Sequence, residues 1–260
     1  MHRLMAETAA LGEERPVLSR EAANHLKVLR PKDGEEIELF DGRGSSRVYR
    51  YSRAGGGLVA REKAATSAPR PAPLVLFACV TKGSRWDWTI EKATELGATK
   101  IVPVVSERTV VRVAPQERAA KRGRWMRVAE EAARQSDAKW LPEILEPVSF
   151  ADSLALVAET DCYVGALTNP PPEPLLAAVA KRRGIFNRAE RADRVEGEKP
   201  VAMFVGPEGD FTPDELAALL EIATPTSFGP TILRAETAAI FALSVLAASL
   251  EPAPWFRGNL

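Results

Sequence analysis

Two short segments near the carboxyl end of the chain hold residues whose types and spacing suit ligand binding and charge chemistry. In the first, the apolar run Val201–Val205 is followed at once by Gly206-Pro207-Glu208-Gly209-Asp210. A glycine turn at the carboxyl end of a parallel strand is where open α/β sheets bind ligands, because glycine lets the backbone approach closely. The turn lacks the glycine spacing of the dinucleotide and P-loop motifs. Taken alone, it is most simply interpreted as a plain turn.

The second segment, Phe228–Ala239, begins with a Gly229-Pro230 turn after a short strand and opens a long apolar helix. The start of a helix offers free backbone N–H groups and a positive potential. Arg234 and Glu236 stand there as charged groups beside apolar surroundings. Such a pair suits the stabilisation of developing charge and the transfer of a proton. A capping glutamate in an ion pair with the arginine is an equally weighted structural alternative.

Few other kinds of catalytic or metal-binding site are open to this chain, because its only histidines are His2 and His25. From residue 34 onward the chain therefore offers neither a histidine-ligated metal site nor a Ser-His-Asp triad. Cys79 and Cys162 each lie in an apolar run and are interpreted as buried free thiols. We expect no metal, and we expect carboxylates, Arg, Lys, hydroxyl groups or a bound cofactor to do the chemistry.

The elements that position these segments follow a proline-rich linker at Ala68–Pro73, where alternating prolines disfavour a helix. Beyond the linker, apolar runs of strand length alternate with stretches of helical periodicity. This alternation predicts a mostly parallel sheet with helices on its faces. The predicted strands are Leu74–Val80, Lys100–Val105, Cys162–Leu167, Val201–Val205 and Thr226–Phe228. The predicted helices are Trp86–Leu96, Pro115–Gln135, Phe150–Ala158, Pro174–Lys181, Pro213–Ile222 and Leu233–Leu250.

The residues before the linker show a different pattern. Short β-like pieces are separated by the hairpin signals Asp41-Gly42 and Gly55-Gly56-Gly57, and a helix is predicted over Ser19–Leu29. This spacing predicts a small β-barrel, so we expect two domains, over residues 1–70 and 74–250. The N-terminus lacks the apolar core of a signal peptide, and no apolar run is long enough to span a bilayer, so a cytoplasmic protein is expected.

The two segments together resemble the carboxyl end of the RsmE-type 16S ribosomal RNA (uracil-N3) methyltransferases, a family of the SPOUT superfamily. The resemblance rests on Gly206–Gly209 followed by the run Phe228–Ala238. It extends upstream through His25–Arg30, Asp41-Gly42, Lys82-Gly83, Glu91–Gly97, Pro103, Ser106–Arg108, Trp125, Gln135-Ser136 and Pro142. The matches cover nearly the whole chain in the right order, and this order makes the resemblance specific.

The resemblance implies an α/β methyltransferase domain with a trefoil knot, preceded by a PUA-like β-barrel that binds RNA. It implies S-adenosylmethionine as the cofactor, N3 of a uridine in the 16S rRNA of the small ribosomal subunit as the acceptor, and a homodimer formed through the last helix. The cofactor-binding residues that it carries over are Leu167, Thr168, Gly206, Pro207, Glu208, Gly209, Phe228, Gly229, Ile232, Leu233 and Thr237.

The same resemblance assigns chemistry to the charged pair. The acceptor must lose its weakly acidic N3 proton, and the negative charge that remains spreads onto the neighbouring carbonyl oxygens. A guanidinium stabilises such charge, so Arg234 is the first catalytic candidate. Glu236 is expected to orient Arg234 or to accept the proton, and Glu208 is a weaker candidate.

Charge is segregated along the chain, although 35 basic and 35 acidic side chains sum to zero. Residues 1–72 hold 13 Lys and Arg against 10 Asp and Glu, and residues 108–139 hold nine against four, whereas residues 201–260 hold two against seven. RNA is therefore expected across the first two regions. The candidate contacts are Arg3, Lys27, Arg30, Lys82, Arg85 and Arg108, each with a solvated surface charge as its alternative. Of Trp86 and Trp88, at least one is expected in the core.

Three positions depart from the family's pattern. Asp210 stands where a second glycine is usual, Thr231 replaces a frequent arginine, and Ala138 replaces an arginine for which Lys139 or Arg134 can substitute. Two other functions stay open. A non-catalytic RNA-binding or ribosome-assembly protein would retain the fold, whereas a nucleotide-binding oxidoreductase would require a dinucleotide motif that the chain lacks.

Overall fold

The computed structural model describes residues 1–69, 72–157, 159–183 and 199–250. Residues 70 and 71 of the predicted linker, and Ala158 at the end of a predicted helix, lie outside the described residues. The chain divides into a first unit, Met1–Pro69 with Glu130–Leu141, and a second unit, Arg70–Ala129 with Pro142–Leu260. The sequence pattern did not assign residues 130–141 to the first unit.

The first unit is built on a small sheet with the strand order β1-β2-β3-β4, and a short strand β5 pairs with β3. Strand β1 runs parallel to β2, and the other pairs are antiparallel. The strands bury one set of side chains together in an apolar cluster, which includes Leu4, Ile37, Leu39 and Tyr49. The elements are β1 His2–Met5, a 3-10 helix Thr8–Gly12, α1 Arg20–Leu29, β2 Glu36–Phe40, β3 Ser45–Ser52, β4 Gly57–Ala60 and β5 Ala65–Thr66.

Arg3 ties the late segment of the first unit to β1 and β2. Its Nε donates to Glu38 Oε2 at 2.7 Å, and its Nη1 and Nη2 donate to the carbonyl oxygens of Ala133 and Ala138 at 2.5 and 3.2 Å. The guanidinium also lies 4.2 Å above the ring of Phe40. These non-local contacts explain why residues 130–141 belong to this unit, which no periodicity of the sequence indicates.

The Glu38 carboxylate is the acidic centre of this cluster. Burial raises the pKa of Glu38, but hydrogen bonds from Lys139, Ser46 and Arg3 outweigh burial and leave the pKa below its ordinary value. Glu38 is therefore ionised at neutral pH, and its negative charge compensates the buried guanidinium.

The second unit contains the parallel sheet with helices on its faces that the alternating pattern predicts. Its strand order is β12-β10-β11-β6-β7-β8, with β9 beside β7, and every pair is parallel. The strands are β6 Leu74–Cys79, β7 Lys100–Val105, β8 Glu143–Ile144, β9 Val148–Ser149, β10 Asp161–Gly165, β11 Val201–Val205 and β12 Thr224–Thr226. The helices are α2 Ser84–Glu95, α3 Arg118–Ser136, α4 Phe150–Ala155, α5 Leu175–Arg183, α6 Pro213–Leu220 and α7 Ala235–Leu250, with a 3-10 helix at Pro115–Glu117. The end of α3, from residue 130 onward, belongs to the first unit.

Alternate residues of the central strands point to opposite faces of this sheet. On one face Phe77 of β6 stacks on Phe204 of β11, with ring centroids 4.4 Å apart, in a cluster that includes Leu219 of α6. On the other face α7 contacts α2, α5, β6 and β11, which accounts for its apolar character almost all round. Helix α6 begins with the predicted capping box, because Thr212 Oγ1 accepts from the Glu215 N–H and the Thr212 N–H donates to the Glu215 carboxylate.

The strand predicted over Leu74–Val80 ends one residue earlier, at Cys79, and two other predicted strands run two residues past the observed ends at the carboxyl edge of the sheet. The strand predicted over Cys162–Leu167 ends at Gly165, and the strand predicted over Thr226–Phe228 is Thr224–Thr226. The residues beyond these ends leave the ladder and form loops. Their apolar character, which suggested strand, reflects the lining of a cavity.

Candidate functional site

A cavity of about 270 Å³ lies in the second unit at the carboxyl edge of the sheet. Because the strands are all parallel, the loops that follow β10, β11 and β12 meet at this edge. The ends of these strands, the loops after them and the start of α7 supply the lining residues: Gly165, Ala166, Leu167, Val205, Gly206, Pro207, Glu208, Asp210, Thr226, Ser227, Phe228, Gly229, Thr231, Ile232, Leu233, Arg234, Ala235 and Ala238.

The loop after β11 is a tight turn in which the Asp210 N–H donates to the Pro207 carbonyl at 2.9 Å. A Cβ at Gly206 would lie 3.3 Å from the ring of Phe211, so little room exists for a side chain there. Asp210 has a φ of +60°, and its Oδ1 accepts from the Phe211 N–H at 2.8 Å. Aspartate tolerates the left-handed region better than most residues. The departure from the family's glycine therefore keeps a backbone conformation that glycine favours.

Two arginines hold this loop from outside the cavity. Arg85 donates to the Glu208 carboxylate at 3.2 Å, and Arg108 Nη1 donates to the Gly209 carbonyl at 2.9 Å. Exposed contacts of this kind contribute at most about 1 kcal/mol each. They nevertheless fix where the Glu208 carboxylate and the Gly209 backbone lie.

Gly165 and Phe228 form the opposite wall. A Cβ at Gly165 would lie 2.6 Å from two atoms of the Phe228 ring, so the ring occupies the space that any side chain would need. Phe228 also packs against Phe241 of α7, with ring centroids 5.6 Å apart. The Ala166 N–H donates to the Thr226 carbonyl at 3.1 Å, which continues the pairing of β10 with β12 beyond the strand. A ligand here would meet the flat face or edge of an aromatic ring.

The segment between β12 and α7 closes the cavity. Gly229 has a φ of +118°, a conformation that only glycine adopts readily, and its N–H donates to Ser227 Oγ at 3.2 Å. Ile232 is 81% exposed, and Leu167 of the facing loop is 64% exposed. Two large apolar side chains exposed beside one cavity are consistent with a surface that a bound molecule covers.

Arg234 and Glu236 stand in contrasting environments at the start of α7. Arg234 is exposed and lines the cavity, and its guanidinium has no hydrogen-bond partner among the described residues. Glu236 is 8% exposed, and its Oε2 lacks a partner within the same part of the chain. The described residues contain no ion pair between these two side chains, which is what the capping alternative requires. Arg234 is thus free to meet a substrate, and Glu236 is a desolvated carboxylate behind it.

Most of the cofactor-binding residues expected from the sequence come together here. Leu167, Gly206, Pro207, Glu208, Phe228, Gly229, Ile232 and Leu233 line the cavity with Arg234, whereas Thr168, Gly209 and Thr237 do not. Sequence reasoning missed several lining residues: Gly165, Ala166, Thr226, Ser227, Ala235 and Ala238. The signal for Gly165 was a glycine at the end of an apolar strand, which often marks a close approach of another group.

Of the six candidate RNA contacts, Arg3 is corrected to a structural role. It is 8% exposed and its donors are directed to Glu38 and two backbone carbonyls, so it is not available to a phosphate. The other candidates are exposed: Lys27, Arg30, Lys82, Arg85 and Arg108. As expected, one of the paired tryptophans is in the core, because Trp86 is 2% exposed and contacts Trp125 edge-on, whereas Trp88 is 41% exposed.

The two cysteines are buried free thiols, as predicted. Burial raises the pKa of Cys79 to about 11 and that of Cys162 to about 12, so both thiols are protonated at neutral pH. No group of His, Cys, Asp and Glu within the described ranges is arranged to hold a metal ion. None of the described helices is both long enough and apolar enough to cross a membrane.

The fold and the cavity together define an α/β protein with a cavity at the carboxyl edge of a parallel sheet and a small β-sheet domain ahead of it. Family models give this class a name: an RNA methyltransferase domain matches residues 68–247, and an RNA methyltransferase PUA domain matches residues 18–60. The chain belongs to this family of RNA methyltransferases, which confirms the resemblance seen in the sequence.

Individual relatives agree with the family models. Ribosomal RNA small subunit methyltransferase E from Synechocystis is 30% identical over 96% of this chain and 78% of its own length. The crystal structure of ribosomal RNA small subunit methyltransferase E from Neisseria gonorrhoeae bound to S-adenosyl methionine is 25% identical, with a TM-score of 0.73 over 95% of this chain and 97% of that one. A putative methyltransferase from Legionella pneumophila in complex with the cofactor is 26% identical, with a TM-score of 0.73.

Proposed function

We propose that this protein transfers the methyl group of S-adenosylmethionine to N3 of a uridine in the 16S rRNA of the small ribosomal subunit. The main support for the proposal is the position of Arg234. It is exposed, has no hydrogen-bond partner among the described residues, and lines a cavity formed by three loops of a methyltransferase fold. The names of the relatives support the substrate, and two of the similar solved structures contain the cofactor.

The cavity suits S-adenosylmethionine by its shape and its donor groups. Gly229 leaves its backbone open, because an added Cβ there would meet no heavy atom within 4 Å, whereas Gly165 and Gly206 let aromatic rings pack closely against the backbone of the cavity wall. Apolar side chains such as Phe228 and Ile232 suit the adenine ring, and the carboxylate of Glu208 or Asp210 suits ribose hydroxyls or a positive charge. When bound, the cofactor supplies an electrophilic methyl group on a sulfonium. The residues proposed to hold it are Leu167, Gly206, Pro207, Glu208, Phe228, Gly229, Ile232 and Leu233, with Thr168, Gly209 and Thr237 beside them.

The chain's own residues would perform three tasks in the reaction. The loops would hold the uracil beside the bound cofactor and so lower the entropic barrier. Arg234 stabilises the negative charge that spreads onto the uracil carbonyl oxygens once the N3 proton leaves. Glu236 is the proposed orienting group for Arg234 or the acceptor of that proton, because its buried Oε2 has no hydrogen-bond partner among the described residues.

The domain organisation follows from this assignment. We assign the methyltransferase reaction to residues 74–250 and RNA binding to residues 1–70, extended by residues 130–141. Lys27 and Arg30 of the first unit and Lys82, Arg85 and Arg108 of the second remain the proposed phosphate contacts. The substrate would place the enzyme in the cytoplasm, with the ribosome.

The knot and the dimer also remain proposals. The knot is supported by the path of the chain, since the segment after the edge strand β12 returns to pack α7 against the central strands β6 and β11. The dimer is supported by Phe241 of α7, which is 39% exposed, and by Leu176 of the neighbouring α5, which is 49% exposed. Exposed apolar side chains on adjacent helices suit a second copy of the chain.

The decisive experiment maps methylated nucleotides by mass spectrometry in small-subunit rRNA incubated with the protein and the cofactor. A new methyl group on N3 of one uridine supports the proposal, and rRNA without any added methyl group contradicts it. Calorimetry separates the alternative of a non-catalytic RNA-binding protein, which would not bind S-adenosylmethionine.

The catalytic assignment has its own variants. Arg234→Ala should leave cofactor affinity nearly unchanged and reduce single-turnover methylation about 100- to 1,000-fold, the usual effect of removing one charge-stabilising donor. Arg234→Lys keeps the charge but loses the planar fork and should fall between the two. Near-normal methylation by Arg234→Ala would remove Arg234 from the mechanism.

A further inference from the structure

A second cavity, of about 610 Å³, lies within the first unit between the last turns of α1 and the hairpin that joins β3 to β4. Its volume falls within the range of roughly 300–1,000 Å³ that is usual for ligand sites. Four cations line it, namely Arg15, Lys27, Arg30 and Arg53, and none of the described residues lining it is acidic. We call this cavity the basic groove.

The cations of the basic groove are gathered around one cavity and lack carboxylate partners among the described residues. Within the described part of the chain, the side chains of Lys27, Arg30 and Arg53 make no ion pair, and Arg15 donates to the Gly55 carbonyl at 2.9 Å. Elsewhere in the unit some cations pair with carboxylates, as shown by Arg3, Arg47, Arg61 and Lys139. Others are exposed but do not line this cavity, such as Arg43, Arg50 and Lys63. Unpaired like charges that face one cavity create a positive potential that favours an anion.

The backbone around the groove positions these charges. Arg30 is the C-cap that follows α1, and its φ of +48° turns the chain sharply before the buried Pro31. Arg53 lies in the facing hairpin, and its backbone N–H donates to the Asp33 carboxylate at 2.8 Å. This hydrogen bond holds the start of the turn between β3 and β4. Gly56 ends the turn of this hairpin and Gly57 begins β4, and the absence of Cβ atoms at both leaves their backbone open to a ligand.

The floor of the groove is apolar and includes an aromatic ring. Leu18, Leu26 and Tyr51 are partly buried against the core of the unit while still lining the cavity. Aromatic and apolar side chains are the surfaces on which unstacked RNA bases lie, at about 1–3 kcal/mol per base. An anion-attracting rim above an apolar floor therefore matches a nucleotide, which carries a phosphate and a flat base.

We infer that the basic groove binds an unpaired nucleotide of single-stranded RNA, with its phosphate on Lys27, Arg30 and Arg53 and its base on Tyr51. The inference rests on the proposed function, because it assigns the occupant to the RNA substrate. It adds Arg15, Tyr51 and Arg53 to the RNA contacts and separates the cations that hold RNA from those that hold the fold. It also makes the groove a determinant of substrate affinity and not of turnover.

The test compares two triple variants of the full chain that change the net charge equally. The groove variant carries Lys27→Gln, Arg30→Gln and Arg53→Gln. The control variant carries Arg43→Gln, Arg50→Gln and Lys63→Gln, three exposed cations of the same unit that do not line the groove. The probe is a 12-nucleotide single-stranded oligouridylate, titrated at several salt concentrations, with a 12-base-pair RNA duplex and uridine monophosphate as comparisons.

The expected result is worked from counterion release. Each lost contact to a single strand lowers the slope of log affinity against log salt by about 0.7, so three lost contacts lower it by about 2. If the two proteins bind equally at 1 M salt, the groove variant should bind oligouridylate about 100-fold more weakly than the wild type at about 0.1 M salt. The control variant should lose much less. Tyr51→Leu should weaken binding of the oligouridylate but not of the duplex, whose bases are stacked on each other.

Three outcomes overturn the inference. Equal losses in the two triple variants would show a diffuse basic surface, and an unchanged slope in the groove variant would show no phosphate contact there. Uridine monophosphate binding as tightly as the oligonucleotide would indicate a free-nucleotide site. If Arg30→Gln prevents folding, the pair Lys27→Gln and Arg53→Gln keeps the test, with a slope lowered by about 1.4.

Methylation kinetics separate this inference from the proposed function. With small-subunit rRNA as substrate, the groove variant should raise KM and leave kcat near that of the wild type. Wild-type protein that transfers no methyl group would refute the proposed function, and the oligouridylate titration would still decide whether the groove binds RNA.

Discussion

Replacing Gly165 with alanine should weaken cofactor binding while the protein stays folded. A Cβ at this position would lie 2.6 Å from the Cε2 and Cζ atoms of Phe228. Carbon atoms in contact stay about 3.5–4.0 Å apart, so the ring must move by about 1 Å. Phe228 lines the cavity and packs against Phe241 at 5.6 Å, so the movement either narrows the cavity or loosens that ring contact.

The magnitude follows from the cost of overpacking. Inserting one extra carbon into a tight contact costs roughly 1–3 kcal/mol. If this strain falls on the cofactor complex, the Kd for S-adenosylmethionine rises about 5- to 150-fold, because 1.4 kcal/mol corresponds to tenfold. Isothermal calorimetry measures the Kd, and denaturant unfolding measures the stability of the free protein.

Gly123→Ala is the matched control for this substitution. Gly123 lies inside α3, and a Cβ there would meet no heavy atom within 4 Å. Alanine in a helix is more stable than glycine by about 0.5–1 kcal/mol, so this variant should unfold at higher denaturant and bind the cofactor normally. Wild-type affinity in Gly165→Ala would refute the assignment of the Gly165–Phe228 contact to the cofactor site, and equal weakening in both variants would show that the effect is not local.

Three further substitutions or reactions test other parts of the structure. Because Asp210 has a left-handed backbone, Asp210→Ala should lower the free energy of unfolding by about 1–2 kcal/mol, whereas Asp210→Gly should not lower it. Denaturant unfolding measures both variants, and equal stabilities would contradict this prediction. Arg3→Gln should lower the free energy of unfolding by about 1–3 kcal/mol, because Glu38 would keep fewer hydrogen-bond partners. If this variant instead changed the salt dependence of RNA binding, Arg3 would be an RNA contact after all. Cys79 and Cys162 should resist a thiol reagent at pH 8 until the protein is denatured, and rapid labelling of native protein would disprove their burial. Because burial raises the pKa of Cys79 from 9.0 to about 11, its contribution to stability is fully present below pH 9 and is lost as the pH rises towards 11.

Several features of the fold could be read from local sequence alone. The parallel sheet follows from alternating apolar runs and helical periodicities, and β11 is found with the bounds that the pattern gives, Val201–Val205. The start of α6 follows from Thr212 and Pro213, because a cap and its helix are neighbours in sequence. Such features depend on interactions within a few residues, so the order of residue types is sufficient to predict them.

The candidate site was only partly accessible in this way. The Gly206 turn and the Arg234 segment were recognised, but Gly165 and Ser227 were not, because they join the cavity only through the pairing of β10 with β11 and β12. The different environments of Arg234 and Glu236, one exposed and one buried, depend on how α7 packs on the sheet. No spacing in the sequence distinguishes these two positions.

Charge shows the same division between sequence and structure. The sequence by itself determined where cations are concentrated and that the chain belongs with RNA-modifying enzymes. Only the tertiary structure decided that Arg3 is buried against Glu38, whereas Lys27, Arg30 and Arg53 face a cavity without a carboxylate. A side chain's charge is fixed by its chemistry, but whether that charge is neutralised depends on partners brought from distant parts of the chain. Those partners exist only after the strands have paired and the helices have packed.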